Sequence, residues 1–517
     1  MLDLKLSKGI LVGIKKGGDI MSDSGFQLLA IIIYMVSMLA IGWYAWRKTS
    51  SLNDYMLGGR GLGPAVTALS AGAADMSGWL LMGLPGAIYL SGLVESWIAI
   101  GLTIGAYLNW VFVAPRLRVY TQVSGDSITI PSFLDNRLRD KTKLIRIASG
   151  IIILVFFTFY VSSGMVAGGK FFESSFGYDY FTGLLIVSGV VVAYTLFGGF
   201  LAVSYTDALQ GLIMFLALVL VPIFGVFKTG GIGATIDSIK EVNPENLTLF
   251  ASTATVAGVI SLLAWGLGYF GQPHIIVRFM AIKSVKETKS ARRIGIGWMI
   301  FSLLGGIATA LVGVAYFQQT QGGIDQLADA ETIFIVMGQL LFHPFIAGIM
   351  LAAILAAIMS TISSQLIVTS SALIEDIYKS LFNKTANDKH YVFMGRLSVL
   401  FVAIFAALLA WNPDNSVLDL VGFAWAGFGA AFGPIILLSL YWRKLTNVGA
   451  LMGMVSGAVV AFVWGKVPAL AGALYEIVPG FFTCLVVAVV ISLITYKKDE
   501  EIDNEFNEMI RILKEEK

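Results

Sequence analysis

From residue 26 to residue 496 the chain alternates long apolar runs with short polar connections. Thirteen runs come near or exceed the roughly 20 residues a helix needs to cross a bilayer. They read 26–46, 64–92, 95–115, 145–170, 181–199, 203–227, 250–271, 294–317, 344–375, 391–411, 416–441, 447–466 and 477–496, and are numbered spans 1 to 13 below. A tail, 497–517, ends in KKDEEIDNEFNEMIRILKEEK, a polar helical segment too small for a domain. The pattern predicts an all-α polytopic membrane protein with a membrane domain over 26–496.

Two spans are interrupted. Span 2 contains AGAADMSGWLLMGLPG, residues 71–86, in which Gly72, Ser77, Gly78, Gly83, Pro85 and Gly86 weaken or break a helix around the carboxylate of Asp75. Inside lipid a backbone leaves the helix only where it is buried in protein or lines a watery cavity. A carboxylate at such a break marks an ion or substrate pathway. Span 7 carries SLLAWGLGYFGQPHIIVRF, residues 261–279, interrupted by Gly266, Gly268, Gly271 and Pro273. Spans 2 and 7 lie five apart, and five is odd, so the units 2–6 and 7–11 run in opposite directions. Paired broken helices in two such halves point to a midplane site in an inverted-repeat transporter. No residue-level repeat joins the halves; the expectation rests on hydropathy and breaks.

Span 9 adds Ser360 and Thr361 among small residues that permit close helix approach. A hard cation such as Na⁺ takes oxygen ligands. Two hydroxyls from one helix, facing carbonyls freed by a broken helix opposite, would make a compact oxygen cage.

Composition narrows the class. The 517 residues are 57% hydrophobic and 13% charged, with a mean hydropathy of +0.81, where soluble domains are nearer a quarter charged. Lys and Arg gather in alternate connections: Arg47, Lys48 and Arg60 after span 1, six between Arg116 and Lys143 after span 3, six between Arg278 and Arg293 around the end of span 7, then Lys379, Lys384, Lys389, Arg443 and Lys444. By the positive-inside rule the amino terminus is outside and the carboxyl terminus cytoplasmic. A lone cysteine, Cys484, excludes a disulfide framework or cysteine metal cluster. His274, His343 and His390 are too scattered to ligate a metal, and no Gly-Lys-Ser/Thr loop suggests ATP-driven transport. No nucleophile–base pair points to an enzyme, and nothing points to nucleic acid or an obligatory protein partner. His274 and Cys484 read as packed and inert.

Residues 1–25 fit poorly. Lys5, Lys8, Lys15 and Lys16 would face outside, against the rule, and the apolar stretch is too short for a span or a signal peptide. Residues 16–21, Lys-Gly-Gly-Asp-Ile-Met, can be encoded with a bacterial ribosome-binding sequence just upstream of an AUG, so translation is expected to begin at Met21.

The motifs DYMLGGRGLGP (54–64), ALSAGAADMSGWLLMGLPGAIYLSG (68–92), TLFGGFLAVSYTDALQG (195–211), AWGLGYFGQPHIIVRFMA (264–281) and LAAIMSTISSQLIVTSSALIEDIY (355–378 and just before) resemble those of the solute:sodium symporters, over essentially everything after Met21. The resemblance implies a LeuT-type 5+5 inverted repeat of ten helices with one helix before and two after. It also implies a place in the bacterial plasma membrane and Na⁺-coupled uptake of a small solute, with L-proline the expected one. A sister solute (pantothenate, a sugar or another amino acid) is the alternative, and a transporter-like sensor a more distant one, disfavoured by the short tail. Carried over by residue, Na⁺ would be held by the carbonyls of Ala73, Met76 and Ala357 and the hydroxyls of Ser360 and Thr361. Asp75, Ser77, Gly78 and Asp207 would serve ion coupling, with Arg60 in a sensitive inner loop. Tyr160, Trp265, Tyr269 and Pro273 would recognise the solute, with Trp79 nearby. Ala74 departs from the Ser common at that place in the family.

Each of these residues also has a plainer reading. Asp75 could cap a half-helix, and the hydroxyls of Ser360 and Thr361 could bond back to carbonyls a turn earlier. Trp265 and Tyr269 could belong to an interface belt, Tyr160 to packing, Thr206 and Asp207 to a helix start, and Arg60 to the positive-inside bias.

Overall fold

A computed structural model describes residues 22–47, 52–320, 323–382 and 387–516. The expected start at Met21 lies outside the described residues. Helices dominate, and the one β-bridge among the described residues joins Leu62 to Ile282.

Every predicted span falls on helix, but among the described residues ten helical runs are both long and apolar enough to cross a membrane. Spans 2 and 3 share one run, Trp79–Val123, because the second half of span 2 continues through a tight turn at Gly92 (φ 80°) into a short 3₁₀ segment, Gly92–Ser96. Spans 5 and 7 fall short as Tyr180–Leu196 and Val256–Gly271. Spans 5 and 6 form a continuous run, Tyr180–Lys228, bent at Gly199, whose φ of 60° and ψ of −156° suit only glycine. Two short helices in connections, Ile130–Arg137 and Ile232–Val242, were not foreseen from hydropathy.

The pillar of the fold is span 9, Pro344–Ser371, where every side chain from Met350 to Ile367 is buried. Spans 1, 2, 4 and 6 pack directly on it. Its alternating Ala and Ser residues let these neighbours come close. Spans 3 and 7 approach closer still: a Cβ on Gly101 or Gly105 would collide with the backbone of Leu263 or Gly266.

The tail forms the helix Glu500–Glu515, capped by Asp499. Phe506, Met509 and Leu513 recur on one face and are buried. Arg139, in the connection after span 3, pairs with Glu501 at 2.8 Å and Glu505 at 2.7 Å, and Arg443 lies over the Phe506 ring at 4.7 Å. The tail is thus docked on the bundle end that carries the basic connections.

Candidate functional site

Span 2 breaks where its glycines and Asp75 predicted. The helix Pro64–Asp75 stops at Met76 (φ −78°, ψ 74°), and the chain resumes in a wide π turn, Trp79–Gly83, before Leu84–Ser91. Asp75, freed from helical pairing, accepts from the Ser77 amide at 2.9 Å and from the Trp79 indole Nε1 at 3.1 Å through its carbonyl. Gly78 fits against Ala167 of span 4 and Ile358 of span 9, where a Cβ would meet carbon at 3.1 and 3.4 Å.

Across this break stands span 9. The Ser360 hydroxyl donates to the Ala73 carbonyl at 2.7 Å and to the Ala357 carbonyl at 3.1 Å. Thr361 Oγ1 lies 3.5 Å from the first and 3.3 Å from the second. Four of the five oxygens expected in the cage therefore meet; the fifth residue, Met76, sits at the break itself. The back-bonding reading accounts for the contacts to Ala357 but not for the reach to Ala73 on another helix.

The Asp75 carboxylate turns away from this cluster. One oxygen accepts a very short hydrogen bond from the Tyr269 hydroxyl, and the other, Oδ1, has no partner among the described residues. Both side chains border a cavity of about 20 Å³, room for about one water.

Span 7 is broken as expected. Residues Ala264–Gly271 wind as a 3₁₀ helix, Gln272 is extended, and Pro273 opens Pro273–Ala281, where its missing N–H costs nothing. The loosened carbonyls find side-chain donors. Trp425 Nε1 donates to the Trp265 carbonyl at 2.7 Å, and Asn109 Nδ2 to the Tyr269 carbonyl at 3.0 Å. Gln272 Nε2 donates in turn to the Trp425 carbonyl at 3.0 Å. Gly268 is obligatory, since a Cβ there would overlap the Trp425 indole. Trp265 and Trp79 face each other with ring centroids 6.2 Å apart, so the two breaks share an aromatic wall. Tyr160 packs edge-on to His274 at 5.7 Å, and its buried hydroxyl has no hydrogen-bond partner among the described residues. His274 is wedged between Tyr160 and Phe157, and Cys484 is buried and unpaired, consistent with packing roles.

Asp207 is fully buried and binds four spans together. Its Oδ2 accepts from Ser70 of span 2 at 2.8 Å, Ser364 of span 9 at 3.1 Å and Arg278 of span 7 at 3.1 Å. Arg278, also fully buried, donates further to Ser364 at 2.6 Å and to the His274 carbonyl at 2.5 Å. The helix-start reading of Asp207 does not hold, because it lies about two turns beyond the Gly199 kink from which span 6 runs as helix. Arg278, Ser70, Ser364, Asn109, Gln272 and Trp425 were not among the residues picked from sequence. An arginine one turn past the break in span 7 was the signal available for the first.

Arg60 precedes span 2 with a left-handed backbone (φ 54°) and makes more than a surface charge. It donates to Thr121 Oγ1 at 3.1 Å, the Met280 carbonyl at 2.9 Å and the Ser127 carbonyl at 2.7 Å, and pairs with Asp126 at 3.0 Å. Burial lowers its pKa, and Asp126 works in the opposite direction. Beside it, the Leu62 amide donates to Ala281 and the Lys283 amide to Leu62, at 3.1 and 3.0 Å. The lead-in to span 2 is thus fastened to the ends of spans 3 and 7.

These features can be set beside known proteins. The model of the sodium:solute symporter family matches residues 55–457. The chain is 61% identical over 471 residues, 91% of its length and 98% of the relative's, to the high-affinity proline transporter PutP of Bacillus subtilis. It is 55% identical to the osmoregulated proline transporter OpuE of the same organism, over 95% of this chain and 99% of the other. It is 52% identical to the sodium/proline symporter of Staphylococcus aureus, over 95% and 98%. Its fold is that of a Na⁺-coupled sialic acid symporter solved in an outward-open, substrate-bound state, with a TM-score of 0.78 at 20% identity over 92% of this chain and all of the other. Helical architecture, two broken spans and full-length similarity agree: the chain belongs to the sodium:solute symporter family.

Proposed function

We propose that this protein carries L-proline inward across the bacterial plasma membrane together with Na⁺, by alternating access in a 5+5 inverted repeat within thirteen spans. The amino terminus is outside and the carboxyl terminus inside. The observation that carries the reading is the convergence of Ser360 and Thr361 on the carbonyls of Ala73 and Ala357 across the break in span 2. An all-oxygen cluster between a broken helix and its neighbour suits a small monovalent cation, because it offers hard ligands without burying another charge. The close similarity to proteins named as proline transporters supports the solute.

In this account Na⁺ bridges spans 2 and 9, with Met76 supplying a further carbonyl. It holds the broken helix in the shape that receives the solute. The unwound backbone of span 2 takes the carboxylate and amine of proline. Trp79, Trp265, Tyr269 and Tyr160 cover its ring and exclude water, with Pro273 fixing where span 7 resumes. Asp75, bonded to Tyr269, shapes the break and passes the ion inward; Ser77 and Gly78 let the chain turn there. Entry of one Na⁺ down the membrane potential supplies about 2.3 kcal/mol per 100 mV. Uptake of labelled proline into proteoliposomes, with and without an inward Na⁺ gradient, tests the reading. Gradient-driven accumulation is expected; Na⁺-independent uptake, or uptake of a sister solute with proline inert, would overturn it.

A further inference from the structure

Span 3 runs beside the broken part of span 7 in matched steps. A Cβ on Gly101 would collide with the Leu263 carbonyl, and one on Gly105 with the Gly266 carbonyl. Four residues further on, Asn109 Nδ2 donates to the Tyr269 carbonyl at 3.0 Å. Steps of four along an α-helix and of three along a 3₁₀ helix both advance about 6 Å. The 3₁₀ winding of Ala264–Gly271 therefore keeps the two helices in register, and Asn109 is the rung that carries a polar side chain. Span 3 widens into a π turn over Asn109–Val113, just ahead of Pro115, which has no N–H to return to the turn before.

The Asn109 amide is satisfied at its nitrogen. Because a carbonyl can only accept, the contact with Tyr269 fixes which end is Nδ2, and it leaves Oδ1 as a buried acceptor with no partner among the described residues. Asp75 Oδ1 is in the same position, since the Tyr269 hydroxyl bonds the other carboxylate oxygen. Both residues line the cavity of about 20 Å³ bordered by spans 2, 3, 7 and 8. Apart from Asp75, Asn109 and Tyr269, its walls are apolar or aromatic side chains. An orphan buried acceptor is costly, and more so on a charged group. Two such acceptors beside one small cavity match the two hydrogens of a water molecule, and the volume suits one. A hard cation needs a fuller shell of oxygens than these walls offer.

We propose that Asn109 is a positioning residue for ion coupling: its amide fixes the Tyr269 carbonyl in span 7, and its oxygen, through one water in this cavity, holds the Asp75 carboxylate in span 2. Span 3 thereby ties the two breaks to each other, so that the carboxylate keeps one geometry while Na⁺ binds close by. The proposal rests on the reading of the protein as a Na⁺-coupled proline symporter in which Asp75 serves the ion.

Asn109→Leu, which can bond neither water nor carbonyl, is measured in proteoliposomes for the Na⁺ concentration at half-maximal proline uptake and for the maximal rate. Radioactive Na⁺ bound per purified protein is counted alongside. The Na⁺ requirement is expected to rise about tenfold, the loss of one hydrogen bond to a charged group. The maximal rate at saturating Na⁺ should stay within about threefold, and the number of ions bound should not change. Asn109→Ala, which crowds nothing, should shift the same way, and Asn109→Ser, which keeps an acceptor for the water, should recover most of the difference. An unshifted Na⁺ requirement in Asn109→Ala, with only heat stability or maximal rate lowered, would mean that Asn109 merely packs. One ion fewer bound in Asn109→Leu would make the cavity a cation site in place of a water site. Either result overturns the proposal while Na⁺-driven proline uptake stands. If the unsubstituted protein shows no such uptake, it is the underlying reading that fails.

Discussion

Replacing Ser360 by Ala separates an ion ligand from an ordinary interhelical hydroxyl. Its Oγ reaches carbonyls on two helices, at 2.7 Å and 3.1 Å. As a structural hydrogen bond it is worth about 1 kcal/mol net, and its loss would lower stability by that amount alone. As a ligand it turns a lone pair toward Na⁺, and contacts to charged groups are worth about 1.5–3 kcal/mol. That range converts to an increase of about 10- to 150-fold in the Na⁺ concentration for half-maximal uptake. The assay is the initial rate of proline uptake against Na⁺ in proteoliposomes, with choline holding ionic strength. Thr361→Ala should shift in the same direction, while Thr361→Ser, which keeps the hydroxyl, should stay within about threefold of the unsubstituted protein. Half-saturation within about threefold in both alanine variants would mean that the hydroxyls only join spans 2 and 9, and the ion cage would have to be sought elsewhere.

Three further outcomes follow from the geometry. Gly268→Ala drives a methyl into the Trp425 indole, whose Nε1 is tied to the Trp265 carbonyl; overpacking of this kind costs about 1–3 kcal/mol, and proline affinity should fall by about 5- to 150-fold in equilibrium binding. Asp207→Ala leaves Arg278 as an uncompensated buried charge and should destabilise by about 3–5 kcal/mol, read as loss of monodisperse protein on heating. The double variant Asp207→Leu with Arg278→Met should recover that stability without recovering uptake. Arg60→Ala removes the ties to Thr121, Met280 and Ser127, so a cysteine placed by Met280→Cys should become reactive to an impermeant thiol reagent from the cytoplasmic side; Arg60→Lys should not restore protection, since an ammonium cannot span those acceptors.

Much of this arrangement is legible in the sequence, and the reasons are local. Glycines around Asp75 and the Gly-Pro run of span 7 announced both breaks because they act on their own backbone. Ser360 and Thr361 stood out as hydroxyls in an alanine-rich helix. What stayed hidden depends on partners distant in the chain. Nothing near Asp207 shows that Arg278, Ser70 and Ser364 converge on it, nor near Trp265 that Trp425 holds its carbonyl. Hydropathy also assigns each apolar run its own span. It could not show that a single turn at Gly92 separates the end of span 2 from span 3, or that Ala264–Gly271 tightens into 3₁₀ geometry, because neither changes polarity. The tail read as polar because its single apolar stripe, Phe506, Met509 and Leu513, is diluted by charged residues that Arg139 pairs with.

The central claim is that Na⁺ and proline stabilise each other's binding at the broken span 2. It is tested most directly by equilibrium binding of labelled proline to the purified protein, in Na⁺ and in choline at equal ionic strength. The account predicts about 5- to 150-fold tighter binding in Na⁺, with Na⁺ affinity rising by the same factor when proline is present. Equal affinity in the two media would contradict it.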